Sequence, residues 1–129
     1  MKVQFVDFSR SPHSERHFQT SSELIAFLHQ LQKAEPASGE LVGENGFKLT
    51  FGIDGSLAFA QYSSTDGEPP YLVAQAEKPT VEETHDFIVS GEATEIDGKA
   101  CLPFDLFETI ASHFLTTGKN SPSVNWVDA

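Results

Sequence analysis

Phe114-Leu115-Thr116-Thr117-Gly118-Lys119-Asn120-Ser121-Pro122-Ser123-Val124-Asn125-Trp126-Val127-Asp128-Ala129 is the stretch on which the reading of the fold turns. An apolar helical stripe ends at Leu115. Gly118 follows where a left-handed C-terminal cap is expected, because glycine takes positive φ without a Cβ clash. Lys119 to Ser123 is a polar turn carrying Pro122. Ser123 to Val127 then reads as a short strand, with Val124 and the single Trp, Trp126, on the same side. Helix stop, turn and strand close a fold that the preceding residues outline more loosely.

Working back from there, Pro103 suits the first turn of a helix, where its missing N–H costs nothing. Phe107, Ile110, Ala111 and Phe114 recur at helical spacing and Leu115 widens their stripe. Upstream the pattern is one of strands. Phe47, Leu49 and Phe51 alternate with Lys48 and Thr50, Asp54-Gly55 signals a hairpin, and Leu57, Phe59 and Gln61 alternate with Ala58, Ala60 and Tyr62. Ser63 to Pro70 is a longer turn and Tyr71 to Gln75 the returning strand. Asp86 to Val89 and Glu92 to Ile96 are weaker strands, and Asp97-Gly98 is a tight turn before Lys99 to Leu102.

At the other end, Val3 to Phe8 reads as a strand and the polar stretch Ser9 to Gln19 as a loop. Thr20-Ser21-Ser22-Glu23 fits a capping box, with a hydroxyl at the N-cap and a carboxylate three residues on. Leu24, Phe27, Leu28 and Leu31 behind it form one face of an amphipathic helix that fades near Ala34, and Glu35 to Glu40 reads as a turn or linker. The order β, α, a run of strands, α, β specifies an α+β fold: a mainly antiparallel sheet with two main helices packed against it.

A chain of 129 residues, 1–129, reads as a single domain, long enough to bury a core without disulfide or metal staples. Eleven Phe argue against disorder. Lone Cys101 cannot form an internal disulfide, so nothing points to an oxidising compartment. The N-terminal segment meets a charge too early for a signal peptide, and no apolar run approaches the roughly 20 residues that span a membrane. A cytoplasmic protein is expected. The net charge is −11, and it is uneven: residues 1–34 hold four basic and three acidic side chains, residues 35–129 four basic and sixteen acidic. Such a field repels nucleic acid and anionic lipid and steers cationic partners inward.

Catalytic chemistry finds little footing. His13 and His17 are four apart, but Pro12 and polar neighbours oppose a helix there, and no Cys or acidic cluster sits at ligand spacing, so no metal site and no cofactor are expected. His29 falls on the polar side of the first helix. His113, near the end of the second, suits the helix dipole. A small enzyme could use Cys101 with His85 or His113 as nucleophile and base, yet Cys101 lies in an apolar strand where a buried thiol is the ordinary outcome. No Gly-x-Ser-x-Gly elbow and no phosphate-binding glycine loop occur. Glu82, Glu83 and Asp86 read as a solvated acidic loop more simply than as an acid–base pair. A binding protein is the better reading, with Asp66, Glu68, Pro69, Pro70 and Tyr71 presenting carboxylates and a rigid aromatic on one turn.

From Phe47 to Val127 the chain resembles the small bacterial immunity proteins of polymorphic toxin systems, specifically immunity protein family one, often encoded beside deaminase-type toxins. The resemblance lies in the hairpin strands Leu49 to Tyr62 and the Gly98 to Pro103 entry into the last helix. Above all it lies in Phe114-Leu115-Thr116-Thr117-Gly118 followed by Pro122, Val124 and Trp126. The acidic residue usual directly after the Trp stands one place later, at Asp128. The resemblance implies a non-catalytic inhibitor that binds a secreted toxin domain and blocks its active site, a nucleic-acid deaminase or alternatively a nuclease. The acidic field leaves neither nucleic acid nor membrane as an expected partner. Gly118, Pro122, Val124 and Trp126 match the family motif and read as scaffold. Contact with the toxin is expected at Asp66, Glu68 and Tyr71, then at Glu82, Glu83 and Asp86.

Overall fold

The computed structural model describes residues 2–7, 14–33, 37–78, 83–89 and 92–128. Strands β1 (Val3–Asp7), β2 (Ser14–Phe18), β3 (Ala37–Gly43), β4 (Phe47–Asp54), β5 (Leu57–Ser64) and β6 (Tyr71–Gln75) belong to one antiparallel sheet. Strand β10 (Asn125–Asp128) completes its order, β10-β6-β5-β4-β3-β1-β2, and the short β9 (Leu102–Pro103) pairs with β5 beside that path. Two further strands, β7 (Thr84–Val89) and β8 (Glu92–Asp97), form a separate hairpin. Helices α1 (Ser21–Lys33) and α2 (Phe104–Thr117) complete an α+β fold.

Alternation along the central strands sends side chains to two covered faces. Leu49, Phe51 and Ile53 of β4, with Ala58, Ala60 and Tyr62 of β5, join Leu24, Leu28, Phe107, Ile110 and Phe114 in the main core under the helices. Phe51 meets the Phe107 ring at 5.2 Å and Tyr62 meets Phe114 at 6.1 Å. The opposite face carries a second cluster of Phe59, Phe87, Ile96, Ala100 and Cys101, which seats the β7–β8 hairpin. Gly52 makes that seat possible: a Cβ there would lie 2.9 Å from the Ile88 carbonyl oxygen, too close for any side chain.

Both helix boundaries follow local chemistry. The Glu23 amide donates to Thr20 Oγ1 at 3.3 Å while the Thr20 hydroxyl donates to Glu23 Oε1 at 2.9 Å, so the capping box opens α1. Gly118 closes α2 at φ 73, its amide donating to the Phe114 carbonyl at 2.7 Å. Among the described residues no helix is long and apolar enough to cross a membrane.

Three segments differ from the sequence reading. The loop expected over Ser9 to Gln19 contains β2, and the linker expected over Glu35 to Glu40 gives way at Ala37 to β3. Strand β2 is polar because it is an edge strand. Phe18 enters the core, while the exposed Arg16 lays its guanidinium over the Phe27 ring, 4.7 Å from its centre. Strand β3 is masked by Ser38-Gly39, where Gly39 lets the Phe5 ring lie against the backbone. In place of the apolar strand expected around Cys101, a 3-10 turn over Gly98–Ala100 runs through Cys101 into the two-residue β9. Phe8 and Ala34 to Pro36 lie outside the described residues.

Candidate functional site

The turn between β5 and β6 carries two of the predicted contact residues, Asp66 and Glu68, and a third, Tyr71, opens β6 directly behind it; all three are exposed. The turn's backbone is tied from within. Asp66 Oδ1 accepts from the Ser64 hydroxyl at 2.6 Å and from the Glu68 amide at 2.9 Å, and these two bonds hold the Asp66 carboxyl below its usual range. The Tyr71 hydroxyl donates to the Gly67 carbonyl. The turn is also tied to its neighbour, the β3–β4 turn: the Thr65 amide and hydroxyl both donate to the Gly46 carbonyl, at 2.8 and 3.1 Å. In that neighbouring turn Asn45 Nδ2 donates to the Gly118 carbonyl at 2.8 Å. A chain of hydrogen bonds therefore links the C-cap of α2 to the acidic turn.

Glu83 and Asp86 sit elsewhere, at the start of the β7–β8 hairpin, and Glu82 lies outside the described residues. Period-2 alternation points His85, Phe87 and Val89 toward the main sheet and Thr84, Asp86 and Ile88 away from it. Asp86 is paired directly with Glu95, and Thr84 with Asp97. Asp86, Glu95 and Asp97 thus share an exposed anionic face, and among the described residues none of them joins an ion pair. Like charges directly opposed across a ladder destabilise it. The expected contact acids therefore fall on two separate surfaces, one turn and one hairpin face.

Two acids that the sequence reading passed over, Glu95 and Asp97, complete the hairpin face. The alternation in Glu92-Ala93-Thr94-Glu95-Ile96-Asp97 could have found them, since Ile96 inward puts Glu95 and Asp97 outward. Asn45 carried no such signal, because its role depends on a bond to a residue 73 positions away.

Of the motif residues, Gly118 caps α2. Val124 and Trp126 pack against the main core, and the Trp126 indole N–H donates to the Ser121 carbonyl at 2.6 Å. The same ring meets Tyr62 edge-on at 6.2 Å. Pro122 is exposed in the turn that leads to β10.

The residues considered for catalysis are dispersed. Cys101 is fully buried, its thiol directed at the Asp97 and Ile96 carbonyls at 3.5 and 3.9 Å. Burial and the nearby Asp97 carboxylate push the thiol's pKa up, which disfavours the thiolate a nucleophile needs. His85 Nε2 lies 2.7 Å from Asp54 Oδ2, pinning the hairpin to the β4–β5 turn. His113 stands on the last turns of α2, and His29 reaches Glu108 across the helix pair at 3.0 Å. His17 lies on β2, while His13 is outside the described residues. Among the described residues no three His, Cys, Asp or Glu side chains gather as a metal site. Two shallow depressions, of about 200 and 250 Å³, are lined by residues other than His85, Cys101 and His113. Both are smaller than the roughly 300 Å³ at which ligand pockets begin.

Residues 13–128 match the family model described as immunity protein Imm1. No curated protein matches the chain.

Proposed function

This chain belongs to the Imm1 family of immunity proteins, and from that premise we propose that it neutralises a toxin by binding the toxin's catalytic domain and blocking its active site, in the cytoplasm of the cell that must be protected. The whole of residues 1–129 acts as one inhibitory domain in this reading. The target is a secreted nucleic-acid deaminase. Family membership carries the reading, and the charge supports it. Enzymes that act on nucleic acid hold phosphates in basic clefts. A protein with a net charge of −11 associates with such a cleft quickly at low salt. A deaminase site needs a zinc-bound water and a channel for the base, and an inhibitor seated over the channel excludes the strand without touching the metal.

Non-catalytic action is supported by the burial of the Cys101 thiol, which is directed at the Asp97 carbonyl, and by the engagement of His85 with Asp54 instead of with that thiol. The test is to add the purified protein to the toxin domain encoded beside it and follow the toxin on single-stranded DNA. Stoichiometric loss of deamination is expected. Suppression of strand cleavage instead would assign a nuclease partner. Undiminished toxin activity at a tenfold excess of the protein would sink the proposal.

A further inference from the structure

Two large apolar side chains stand exposed among the described residues, Tyr71 at 41% and Val127 at 38%. They occupy neighbouring strands at one edge of the sheet. Val127 of β10 is opposite Val73 of β6, and Tyr71 precedes Val73 by two residues, so all three side chains share a face. On β5 the same face continues through Gln61, opposite Val73, and Ser63, opposite Tyr71. Val73 itself packs against the cluster that seats the β7–β8 hairpin. The exposed pair is therefore the open end of an apolar strip whose other end the hairpin covers.

The rim of that open end is anionic. Asp66 and Glu68 are exposed on the turn leading into Tyr71, and Lys48, opposite Ser63 on the same face, is already paired with Glu40 at 2.9 Å. The turn is fixed beforehand by the bonds of Thr65 to Gly46, Ser64 and Glu68 to Asp66, and Tyr71 to Gly67. A surface already ordered loses little conformational freedom on binding.

Resting on the toxin-binding reading above, we infer that this strip is the docking face: Tyr71 and Val127 form its apolar centre, and Asp66 and Glu68 pair with Lys or Arg side chains lining the toxin's cleft. An apolar aromatic centre with a charged rim is the arrangement that concentrates binding energy in protein interfaces. A second copy of this chain fits the face poorly. Symmetric pairing would set one anionic rim beside another on molecules that each carry −11.

The test measures binding of a catalytically inactive form of the adjacent toxin domain to the wild type, Tyr71→Ser, Val127→Thr, the double variant, and Asp66→Lys/Glu68→Lys. Circular dichroism and thermal melting establish that each variant is folded, and the β-branched Val127→Thr keeps the strand propensity of β10. The double variant should weaken Kd by about 30-fold or more, chiefly through faster dissociation. The charge reversal should slow association several-fold at low salt, with the difference shrinking as salt rises. Folded variants that bind like the wild type overturn the docking face while leaving toxin binding intact. Variants that change self-association of this chain, with toxin affinity unaltered, overturn it in favour of a homodimer contact. A wild type that shows no affinity for the toxin overturns both readings together.

Discussion

The phenol of Tyr62 donates a hydrogen bond to the carbonyl of Gly118 across 3.0 Å, fastening the end of α2 to the middle of the sheet. Asn45 donates to the same oxygen from the β3–β4 turn. Gly118 is thus both a helix stop and a junction of three elements. Tyr62→Phe keeps the ring contacts with Phe47, Phe114 and Trp126 and removes one donor. A loss of about 1 kcal/mol is expected in urea denaturation at pH 7. An unchanged midpoint would mean that the Asn45 bond alone satisfies the carbonyl.

Burial raises the pKa of the Tyr62 phenol, and burial followed by Asp97 raises that of the Cys101 thiol. Both groups are neutral when protonated, and the folded state holds their protons more tightly than the unfolded chain does. Their contribution is therefore fully present below the unfolded values, about 8.5 for Cys and 10 for Tyr, and is lost as pH rises through the higher folded values. Stability should fall above about pH 8.5, first through Cys101. The double variant Cys101→Ala/Tyr62→Phe should show a flatter decline from pH 8.5 to 11. A parallel decline would assign the alkaline loss to other groups.

Much of the architecture was legible in the sequence because single residues impose it. The Thr20–Glu23 box, the Asp54-Gly55 hairpin and the Gly118 stop each act within a few positions, and each stands where the spacing put it. What escaped depended on distant partners. Strand β2 reads as a loop because Arg16, lying over Phe18 and Phe27, replaces an apolar residue. Strand β3 reads as a linker because the aromatic that fills the space above Gly39 comes from β1. Asp66 and Glu68 stand on one exposed turn and Tyr71 opens the strand behind it, as their nearness in sequence requires. Sequence proximity groups Glu83 with Asp86 and alternation along β8 turns Glu95 outward, but only the strand pairing sets Glu95 directly opposite Asp86.

Gly52→Ala places a methyl 2.9 Å from the Ile88 carbonyl and 3.3 Å from Phe87 Cβ, so the hairpin must lift from the sheet. Hydrogen exchange at amides 84–97 is expected to accelerate at least tenfold while amides of β4 and β5 outside residue 52 stay protected. Uniform acceleration across the sheet would show that the hairpin does not open as a separate unit.

Asp86 and Glu95 oppose each other with like charge on an exposed ladder position. Glu95→Lys should therefore raise stability, by about 0.5 kcal/mol, in thermal or urea denaturation. If this face also steers the toxin, the same change should slow association several-fold at low salt. A stabilised variant with an unaltered association rate would remove the hairpin face from the steering surface.

The most direct measurement of toxin neutralisation is co-expression. Cells producing the toxin domain encoded beside this chain are followed for survival with and without the protein, and the two proteins are then purified together. Survival is expected only when the protein is present, with a stable stoichiometric complex whose formation weakens as salt rises. Cells that die despite the protein, with no complex recovered at low salt, would contradict neutralisation.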